Sequence, residues 1–221
     1  MKYKAIFFDL DGTLTESGEG IIKSVQYALN KMGRPAEDAE KLRVFIGPPL
    51  LEQFMAYAGL DKDSARQAVA YYRERYSTIG IFENRPYPGI EDLLKKLHED
   101  GYTIAVSSSK PEFFVRQILD HFHLTEYFDE IVGSTMSEKR TAKAEVIEET
   151  LYRLHLCDHR EQVLMVGDKE HDVIGAREEG IECIAVSYGY GTMEELKAAH
   201  PKTIVHSVEE LGQILLKQSC M

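Results

Sequence analysis

The chain is poor in cysteine and has no long apolar run, and each of these shortages excludes a class of protein. It contains three cysteines in 221 residues, Cys157, Cys183 and Cys220, and none of them forms a CxxC pair. Because disulfide frameworks and zinc sites need several cysteines at short spacings, we expect neither, and a reducing cytoplasm fits best. No segment approaches the roughly 20 apolar residues of a membrane span. Residues 1–10 do not resemble a signal peptide, because their apolar run is short and ends in acids.

Positive charge is also scarce. The chain has 26 lysines and arginines against 37 aspartates and glutamates, which gives a formal net charge of −11. Nucleic acids and anionic membranes bind basic surfaces, so we expect neither as a partner. The composition instead favours a cytoplasmic protein, monomer or homodimer, that acts on a small molecule. Its length is enough for one sizeable α/β domain or for such a domain with an inserted subdomain.

Short apolar runs that are typical of buried strands recur along the chain, and helical patterns lie between them. The strand-like runs are rich in β-branched residues and are bounded by turn residues. They lie at 3–8, 102–108, 130–134, 162–167 and 182–187. Apolar residues recur at helical spacing in 90–100, 113–122 and 143–154. This alternation predicts a doubly wound parallel sheet, a Rossmann-like α/β fold.

One interval breaks the alternation. Between about 18 and 81 there is no convincing strand, but several amphipathic helical patterns occur, and the turn-rich segment 83–89 follows them. We therefore expect an all-helical cap domain, residues 16–82, inserted into a core domain formed by residues 1–15 and 83–221.

Polar residues cluster where the predicted strands end. In a doubly wound sheet, ligands bind beyond the carboxyl ends of the strands, so these residues are expected to meet. They are Asp9 and Asp11 after the first strand, Ser107, Ser108, Ser109 and Lys110 after the second, Lys143 at the start of a helix, and Asp168 and Asp172 after a later strand.

Convergence of four carboxylates requires a cation, and their hard oxygen ligands suit Mg²⁺, which shares its site with substrate phosphate. A hydroxyl, backbone amides and a lysine would bind that phosphate. A carboxylate held against Mg²⁺ and lysine stays ionised and can attack phosphorus. A second carboxylate, two residues along the chain, can protonate the leaving oxygen and then activate water. The pair Asp9 and Asp11 fits these two tasks.

Four motifs resemble those of the haloacid dehalogenase superfamily, in its phosphatase branch. They occur in order and cover nearly the whole chain: DLDGTLT at 9–15, VSSSKP at 106–111, KAEVI at 143–147 and MVGDKEHD at 165–172. Further segments are similar to a subgroup of 5′-nucleotidases and phosphoglycolate phosphatases. These are FIGPPL at 45–50, NRPYPG at 84–89, SEKRTAKAEVI at 137–147 and SYGYGT at 187–192.

The resemblance implies a role for each matched residue. Asp9 would be the nucleophile and a metal ligand, and Asp11 the general acid and base, with its backbone carbonyl on the metal. Ser108 and Lys143 would hold the phosphoryl group. Asp168 would bind Mg²⁺, and Asp172 would orient metal-bound water or the lysine rather than bind the metal directly. The residues expected to contact substrate are Gly12, Thr13, Ser109 and Lys110 in the core and Gly47 and Pro48 in the cap.

Several alternatives stay open at this point. Ser107 competes with Ser108 for the motif hydroxyl, and Lys139 and Arg140 crowd Lys143. A phosphomutase of the β-phosphoglucomutase type and an inorganic pyrophosphatase would share the same core. A receiver domain with a phosphorylated aspartate is disfavoured, because receivers place adjacent acids after the first strand and have no helical insertion. The expected reaction is Mg²⁺-dependent hydrolysis of a small phosphate ester, either phosphoglycolate or a nucleoside 5′-monophosphate.

Overall fold

The chain divides into two compact units. The computed structural model describes residues 2–35, 37–136 and 140–216. One unit combines Met1–Thr15 with Pro86–Met221, and the other is Glu16–Arg85. The sequence placed the second boundary at residue 82. In the structure the inserted unit extends to Arg85, whose carbonyl accepts a hydrogen bond from the Glu16 amide at 2.7 Å.

The inserted unit contains helices and no strand among its described residues. Its helices are α1 (Gly18–Lys31), α2 (Leu50–Ala58) and α3 (Lys62–Tyr76), with short 3-10 turns at Lys41–Phe45 and Gly80–Phe82. The Asp61 carboxylate caps α3 by accepting from the Ser64 amide at 2.8 Å. Buried Val25, Ala28 and Phe54 contribute to its core. Across the described part of the chain, no helix is both long enough and apolar enough to cross a membrane.

The core unit is built on a six-stranded sheet in which all paired strands are parallel, in the order β3-β2-β1-β4-β5-β6. The strands are β1 (Ala5–Phe8), β2 (Thr103–Pro111), β3 (Glu130–Ser134), β4 (Val163–Gly167), β5 (Glu182–Val186) and β6 (Thr203–Val205). The prediction of a doubly wound α/β core with a helical insertion is confirmed. The short strand β6 was missed, because it has only three residues and two of them are half-buried.

Both faces of the sheet are buried. Along β1, Ala5 and Phe7 belong to an apolar cluster with side chains of β4 and β5 and of the helices that cover them, and Ile6 and Phe8 on the opposite face are also fully buried. A strand that is buried on both faces has no polar alternation, which explains its continuous apolar sequence.

The helices of the core unit precede, connect or follow the parallel strands along the chain. They are α4 (Ile90–Glu99), α5 (Glu112–His121), α6 (Lys143–Arg153), α7 (Glu170–Glu178), α8 (Met193–Ala199) and α9 (Val208–Leu216). Four of them connect successive parallel strands, α4 precedes β2 after the inserted unit, and α9 follows β6. The three helical patterns recognised in the sequence correspond to α4, α5 and α6. The β2 strand runs to Pro111 instead of ending at 108, because an irregularity between Ser108 and Pro111 shifts its register and lets it continue beside β3.

Candidate active site

The candidate site lies at the carboxyl edge of the sheet, where the strand order reverses between β1 and β4. In doubly wound sheets this switch point forms a crevice that binds ligands. Asp9 directly follows β1, and Asp168 directly follows β4. Their side chains are almost completely buried, with Asp9 6 % exposed and Asp168 fully enclosed. The fold thus brings two carboxylates from distant parts of the sequence to adjacent strand ends.

Lys143 places a positive charge between Asp9 and Asp172. It is the first residue of α6, and its Nζ lies 2.8 Å from Asp9 Oδ1 and 2.8 Å from Asp172 Oδ1. Nζ also donates to the Ser107 carbonyl at 3.0 Å. Burial acts to lower the pKa of Lys143, but the negative charges of Asp172 and Asp9 outweigh burial and raise it. The ammonium therefore stays charged inside the protein.

A third carboxylate, Asp168, lies close to the two that contact Lys143. Oxygen atoms of Asp9, Asp168 and Asp172 all lie within 4.8 Å of one another. Burial raises the pKa of Asp168, and the negative charges of Asp172 and Asp9 raise it further. Asp168 Oδ2 accepts from the Tyr190 amide at 2.7 Å. Within the described residues, Asp168 Oδ1 is buried and has no hydrogen-bond partner. A buried, unpaired carboxylate oxygen beside two other acids fits a site for a hard divalent cation.

Asp172 serves both the lysine and its own helix. Its Oδ1 pairs with Lys143, and its Oδ2 accepts from the Lys169 amide at 3.0 Å at the start of α7. Burial raises the pKa of Asp172, whereas the neighbouring Lys143 acts to lower it. Asp172 therefore caps the start of α7 and pairs with Lys143 at the same time.

Asp11 lies outside the group of three carboxylates and has a separate partner. Lys110 Nζ lies 2.9 Å from Asp11 Oδ2, and both side chains are nearly buried. Asp11 Oδ1 is buried and has no hydrogen-bond partner among the described residues. The sequence assigned Lys110 to substrate, which stays a prediction. The irregularity of β2 between Ser108 and Pro111 accounts for the direction of this lysine, because such irregularities redirect side chains near strand ends.

The serines of β2 differ in their surroundings. Ser107 is fully buried, and its hydroxyl accepts a hydrogen bond from Thr150 Oγ1 of α6 at 3.2 Å. Ser108 Oγ instead accepts from the Lys110 amide at 3.3 Å, at the end of the strand. Successive strand residues face opposite sides, and Ser107 shares the α6 side with Ala105. Ser107 is thus engaged in the core, which favours Ser108 as the motif hydroxyl.

The remaining substrate candidates fall in both units. Gly12 approaches Asp168 so closely that a Cβ on it would lie 2.1 Å from Asp168 Oδ2. Thr13 is fully buried, and its Oγ1 has no hydrogen-bond partner in the described part of the chain. Ser109 is half-buried near the end of β2. Gly47, with φ of 104°, and Pro48 belong to the inserted unit, so their contact with substrate stays a prediction.

Arg140, a sequence neighbour of Lys143, has a structural position. Its Nη2 donates to the Gly133 carbonyl at 2.9 Å, and its guanidinium lies within 3.5 Å of Glu149. It thereby ties the loop that follows β3 to α6. Lys139 lies outside the described residues, together with residues 137 and 138 of the segment that resembles a family motif. Sequence reasoning missed the Tyr190 amide entirely, because a backbone donor leaves no side-chain pattern.

Comparison with known proteins identifies the family. Residues 6–186 match the family described as haloacid dehalogenase-like hydrolase. The chain belongs to this family. The match extends from β1 to β5 and thus includes Asp9, Lys143 and Asp168. It also includes the helical insertion.

Individual relatives of this haloacid dehalogenase-like hydrolase carry several names. A 5′-nucleotidase of Pseudomonas aeruginosa is 43% identical over 97% of this chain and 96% of its own length. The tyrosine-protein kinase PtkA of Mycobacterium tuberculosis is 36% identical, over 95% of this chain and 72% of its own length. A phosphoglycolate phosphatase of Aliivibrio fischeri is 30% identical over 96% of both chains. Among solved structures, a protein from Clostridium acetobutylicum described as a predicted phosphatase superposes with a TM-score of 0.94. It is 45% identical and covers 98% of this chain and 100% of its own.

These findings confirm the expected enzyme class. The chain is a hydrolase of the haloacid dehalogenase type, and the names of its relatives agree with a phosphoric monoester hydrolase.

Proposed function

We propose that this enzyme is a Mg²⁺-dependent phosphomonoesterase that forms an aspartyl-phosphate on Asp9 and acts on a small phosphorylated metabolite. The observation that carries the proposal is the arrangement of Lys143, with Nζ 2.8 Å from both Asp9 and Asp172, beside the unpartnered oxygen of Asp168. A nucleophilic carboxylate needs a nearby counter-charge, and the Lys143 ammonium lies 2.8 Å from Asp9 Oδ1. Asp9 and Asp168 would hold Mg²⁺, which when bound supplies electrostatic stabilisation of the transferring phosphoryl group.

In the first step, a carboxylate oxygen of Asp9 attacks the phosphorus of the ester. The bond between phosphorus and the ester oxygen breaks, and the leaving alcohol takes a proton from Asp11. Ser108 and Lys143 hold the phosphoryl oxygens. Because the site is nearly buried, these charged contacts act with little competition from water.

In the second step, Asp11 takes a proton from a water molecule as that water attacks the phosphorus. The bond between phosphorus and Asp9 breaks, so inorganic phosphate leaves and the free carboxylate returns. Lys110, 2.9 Å from Asp11, keeps that carboxylate in place between the two steps. The inserted helical unit, including Gly47 and Pro48, would select the substrate as a cap.

The relatives support two substrate classes. The relative with 43% identity is named 5′-nucleotidase, whereas the phosphoglycolate phosphatase is 30% identical. Nucleoside 5′-monophosphates are therefore the first choice, and phosphoglycolate is the second. The acidic surface of the chain, with its formal net charge of −11, favours small substrates over nucleic acids.

The test is phosphate release from a panel of compounds with Mg²⁺ and with EDTA. The panel contains nucleoside 5′-monophosphates, phosphoglycolate, hexose phosphates and inorganic diphosphate. We expect Mg²⁺-dependent release from one of the first two classes. Release from diphosphate alone would indicate a pyrophosphatase, and conversion of a hexose phosphate without release would indicate a phosphomutase. Either result would overturn the proposal.

Replacement of Asp9 by asparagine tests the mechanism. Asp9→Asn removes the nucleophile while preserving the size of the side chain, so kcat should fall by at least about 10⁴-fold. Asp158→Asn is the matched control, because Asp158 is exposed and lies outside the four motifs. A variant at Asp9 that keeps most of its turnover would contradict an aspartyl-phosphate at this residue.

A second candidate is phosphoryl transfer to an acceptor other than water. The relative named tyrosine-protein kinase, which is 36% identical, favours its inclusion. Incubation with radiolabelled ATP and a tyrosine-containing peptide, followed by analysis for phosphotyrosine, separates the two. Label in phosphotyrosine that exceeds free phosphate would favour transfer, and label in free phosphate alone would favour hydrolysis.

A further inference from the structure

The loop that follows β5, with the sequence SYGYGT at 187–192, contacts the candidate site at two points. The first is Asp168. The Tyr190 amide donates to Asp168 Oδ2 at 2.7 Å, and Asp168 Oδ1 has no hydrogen-bond partner among the described residues. The hydrogen bond from the amide to Oδ2 fixes the rotation of the Asp168 carboxylate about its side-chain bond. The other oxygen is thereby kept available for a ligand.

The second contact is with the turn that carries Asp11. The Tyr188 hydroxyl donates to the Thr13 carbonyl at 3.1 Å. The Tyr188 ring packs edge-on against Tyr87, with ring centroids 4.9 Å apart. Burial raises the pKa of the Tyr188 hydroxyl, so it keeps its proton and remains a donor at neutral and mildly alkaline pH. The turn that contains Asp11 and Thr13 is thus attached to the loop through the Thr13 carbonyl.

Glycines bring these backbone segments together without space for a side chain. A Cβ on Gly189 would lie 2.4 Å from Asp168 Cβ and 2.4 Å from the Gly12 carbonyl oxygen. A Cβ on Gly191 would lie 2.1 Å from the Asp168 carbonyl oxygen. Real Cβ atoms essentially never approach another heavy atom within 3.0 Å. The loop therefore packs directly against residues 12 and 168.

We infer that the 187–192 loop is a positioning element that sets the direction of the Asp168 carboxylate through the Tyr190 amide and the shape of the Asp11 turn through the Tyr188 hydroxyl. Tyr188 is a positioning residue, since it reaches the reaction only through Thr13 and the turn. The consequence for Asp168 concerns metal binding. The consequence for Asp11 rests on the proposed function, since it assumes that Asp11 handles protons during turnover.

The Tyr188→Phe variant tests the second contact. It removes one hydroxyl and keeps the ring against Tyr87, and Tyr152→Phe is the matched control because Tyr152 is 69% exposed. With p-nitrophenyl phosphate the leaving group needs little protonation, so the loss should fall on hydrolysis of the phosphoenzyme. We expect kcat and KM to fall together by about tenfold, with a larger burst of p-nitrophenol.

A purely structural role would give a different result. Loss of folded protein lowers the burst and kcat together and leaves KM unchanged. That result, or kinetics equal to those of the wild-type protein, would overturn the role of Tyr188. Tyr152→Phe should match the wild-type protein in all three quantities.

The Gly189→Ala variant tests the first contact without turnover. The added methyl must displace Asp168 or Gly12, so Mn²⁺ should bind the metal-free protein at least about tenfold more weakly, as measured by electron paramagnetic resonance. Gly212→Ala is the matched control, because a Cβ on Gly212 would meet Leu93 at an ordinary 3.5 Å. If Gly189→Ala does not fold, Tyr188→Phe still tests the loop.

The two proposals fail in different ways. If the wild-type protein hydrolyses no phosphate ester but Gly189→Ala weakens Mn²⁺ binding, the positioning of Asp168 stands and the proposed function falls. If the wild-type protein turns over substrate and Gly189→Ala binds Mn²⁺ with wild-type affinity, the proposed function stands and the positioning role of the loop is wrong.

Discussion

The two ends of the same sheet treat charge in opposite ways. At the amino end, Glu182 at the start of β5 accepts from Lys2, Tyr3 and Lys202, the last at 2.8 Å. These groups are partly solvated, with the Glu182 side chain 42% exposed and that of Lys2 56% exposed. At the carboxyl end, three almost fully buried carboxylates lie within 4.8 Å of one another, and two of them contact the ammonium of Lys143. At the amino end, one carboxylate has three side-chain donors, whereas at the carboxyl end three carboxylates have a single neighbouring ammonium.

The two clusters differ in whether the protein alone satisfies their carboxylates. The amino-end cluster satisfies its single carboxylate with three donors and so ties the chain terminus to β5 and to the segment before β6. The carboxyl-end cluster keeps a buried oxygen of Asp168 without a hydrogen bond among the described residues. An unsatisfied buried carboxylate opposes folding, so its presence points to a ligand that completes it.

The largest effect is expected from removal of the shared ammonium. Lys143→Met leaves the buried carboxylates of Asp9 and Asp172 without their shared counter-charge, so the metal-free protein should lose about 3–5 kcal/mol of unfolding free energy at neutral pH. Urea denaturation in EDTA measures this loss. Lys95→Met is the control, because Lys95 is exposed on α4.

A second substitution sharpens this result. Adding Asp172→Asn to Lys143→Met removes one of the stranded charges and should restore part of the stability. If Lys143→Met loses no more unfolding free energy than Lys95→Met, the charges at the carboxyl end are not coupled to folding. The proposed difference between the two ends of the sheet would then be wrong.

An intermediate effect, of opposite sign, is expected at Asp168. Asp168→Asn removes a charge that has too few partners, while its side-chain oxygen can still accept from the Tyr190 amide. The metal-free protein should become more stable by roughly 1–3 kcal/mol, and Mg²⁺ should no longer raise the melting temperature. Thermal unfolding in EDTA and in Mg²⁺, with Asp158→Asn as the control, gives both values. A destabilised metal-free variant would mean that Asp168 is satisfied by the protein alone.

The smallest effect is expected at the amino end. Partial burial acts to raise the pKa of Glu182, but hydrogen bonds from Lys2, Lys202 and Tyr3 outweigh it and lower the pKa from 4.5 to about 2. Glu182→Gln should therefore lower stability at pH 7, by about 1 kcal/mol or less because the pair is solvated. Enzymatic turnover should not change.

The stability lost in Glu182→Gln should depend on pH in a defined direction. A carboxylate with a lowered pKa stabilises the folded state fully above pH 4.5, and this stabilisation disappears as the pH falls toward about 2. The difference between the wild-type protein and Glu182→Gln should shrink over that window, as followed by urea denaturation. A difference that persists unchanged at pH 2 would assign the effect to packing instead of charge.

The fold was largely predictable because its signals are strong. Strand β1 is apolar on both faces, and α4, α5 and α6 repeat leucine, isoleucine and valine at helical spacing. Strand β6 was not predictable, because three residues with two half-buried side chains cannot be distinguished from a loop by their pattern. The backbone hydrogen bond between Glu16 and Arg85 was not predictable, because it involves no side chain.

The candidate site was predictable where it depends on acids and lysines at strand ends. Asp9, Lys143, Asp168 and Asp172 meet as expected, because parallel strands place their carboxyl ends together. The pairing of Lys110 with Asp11 was not predictable, since it follows from an irregularity in β2 that shifts register after Ser108. The amide of Tyr190 could not be recognised either, because every residue except proline has one.

The helical unit leaves and rejoins the core at neighbouring points of the backbone. Thr15 and Pro86 form an antiparallel bridge within the core, and the Tyr87 amide donates to the Leu14 carbonyl at 3.0 Å. An insertion whose ends are already adjacent leaves the hydrogen bonds of β1 and β2 intact whatever its length or sequence. This position in the chain therefore allows modular exchange: a different insertion can be accepted here during evolution while the parallel sheet and the acids at its carboxyl edge are inherited unchanged.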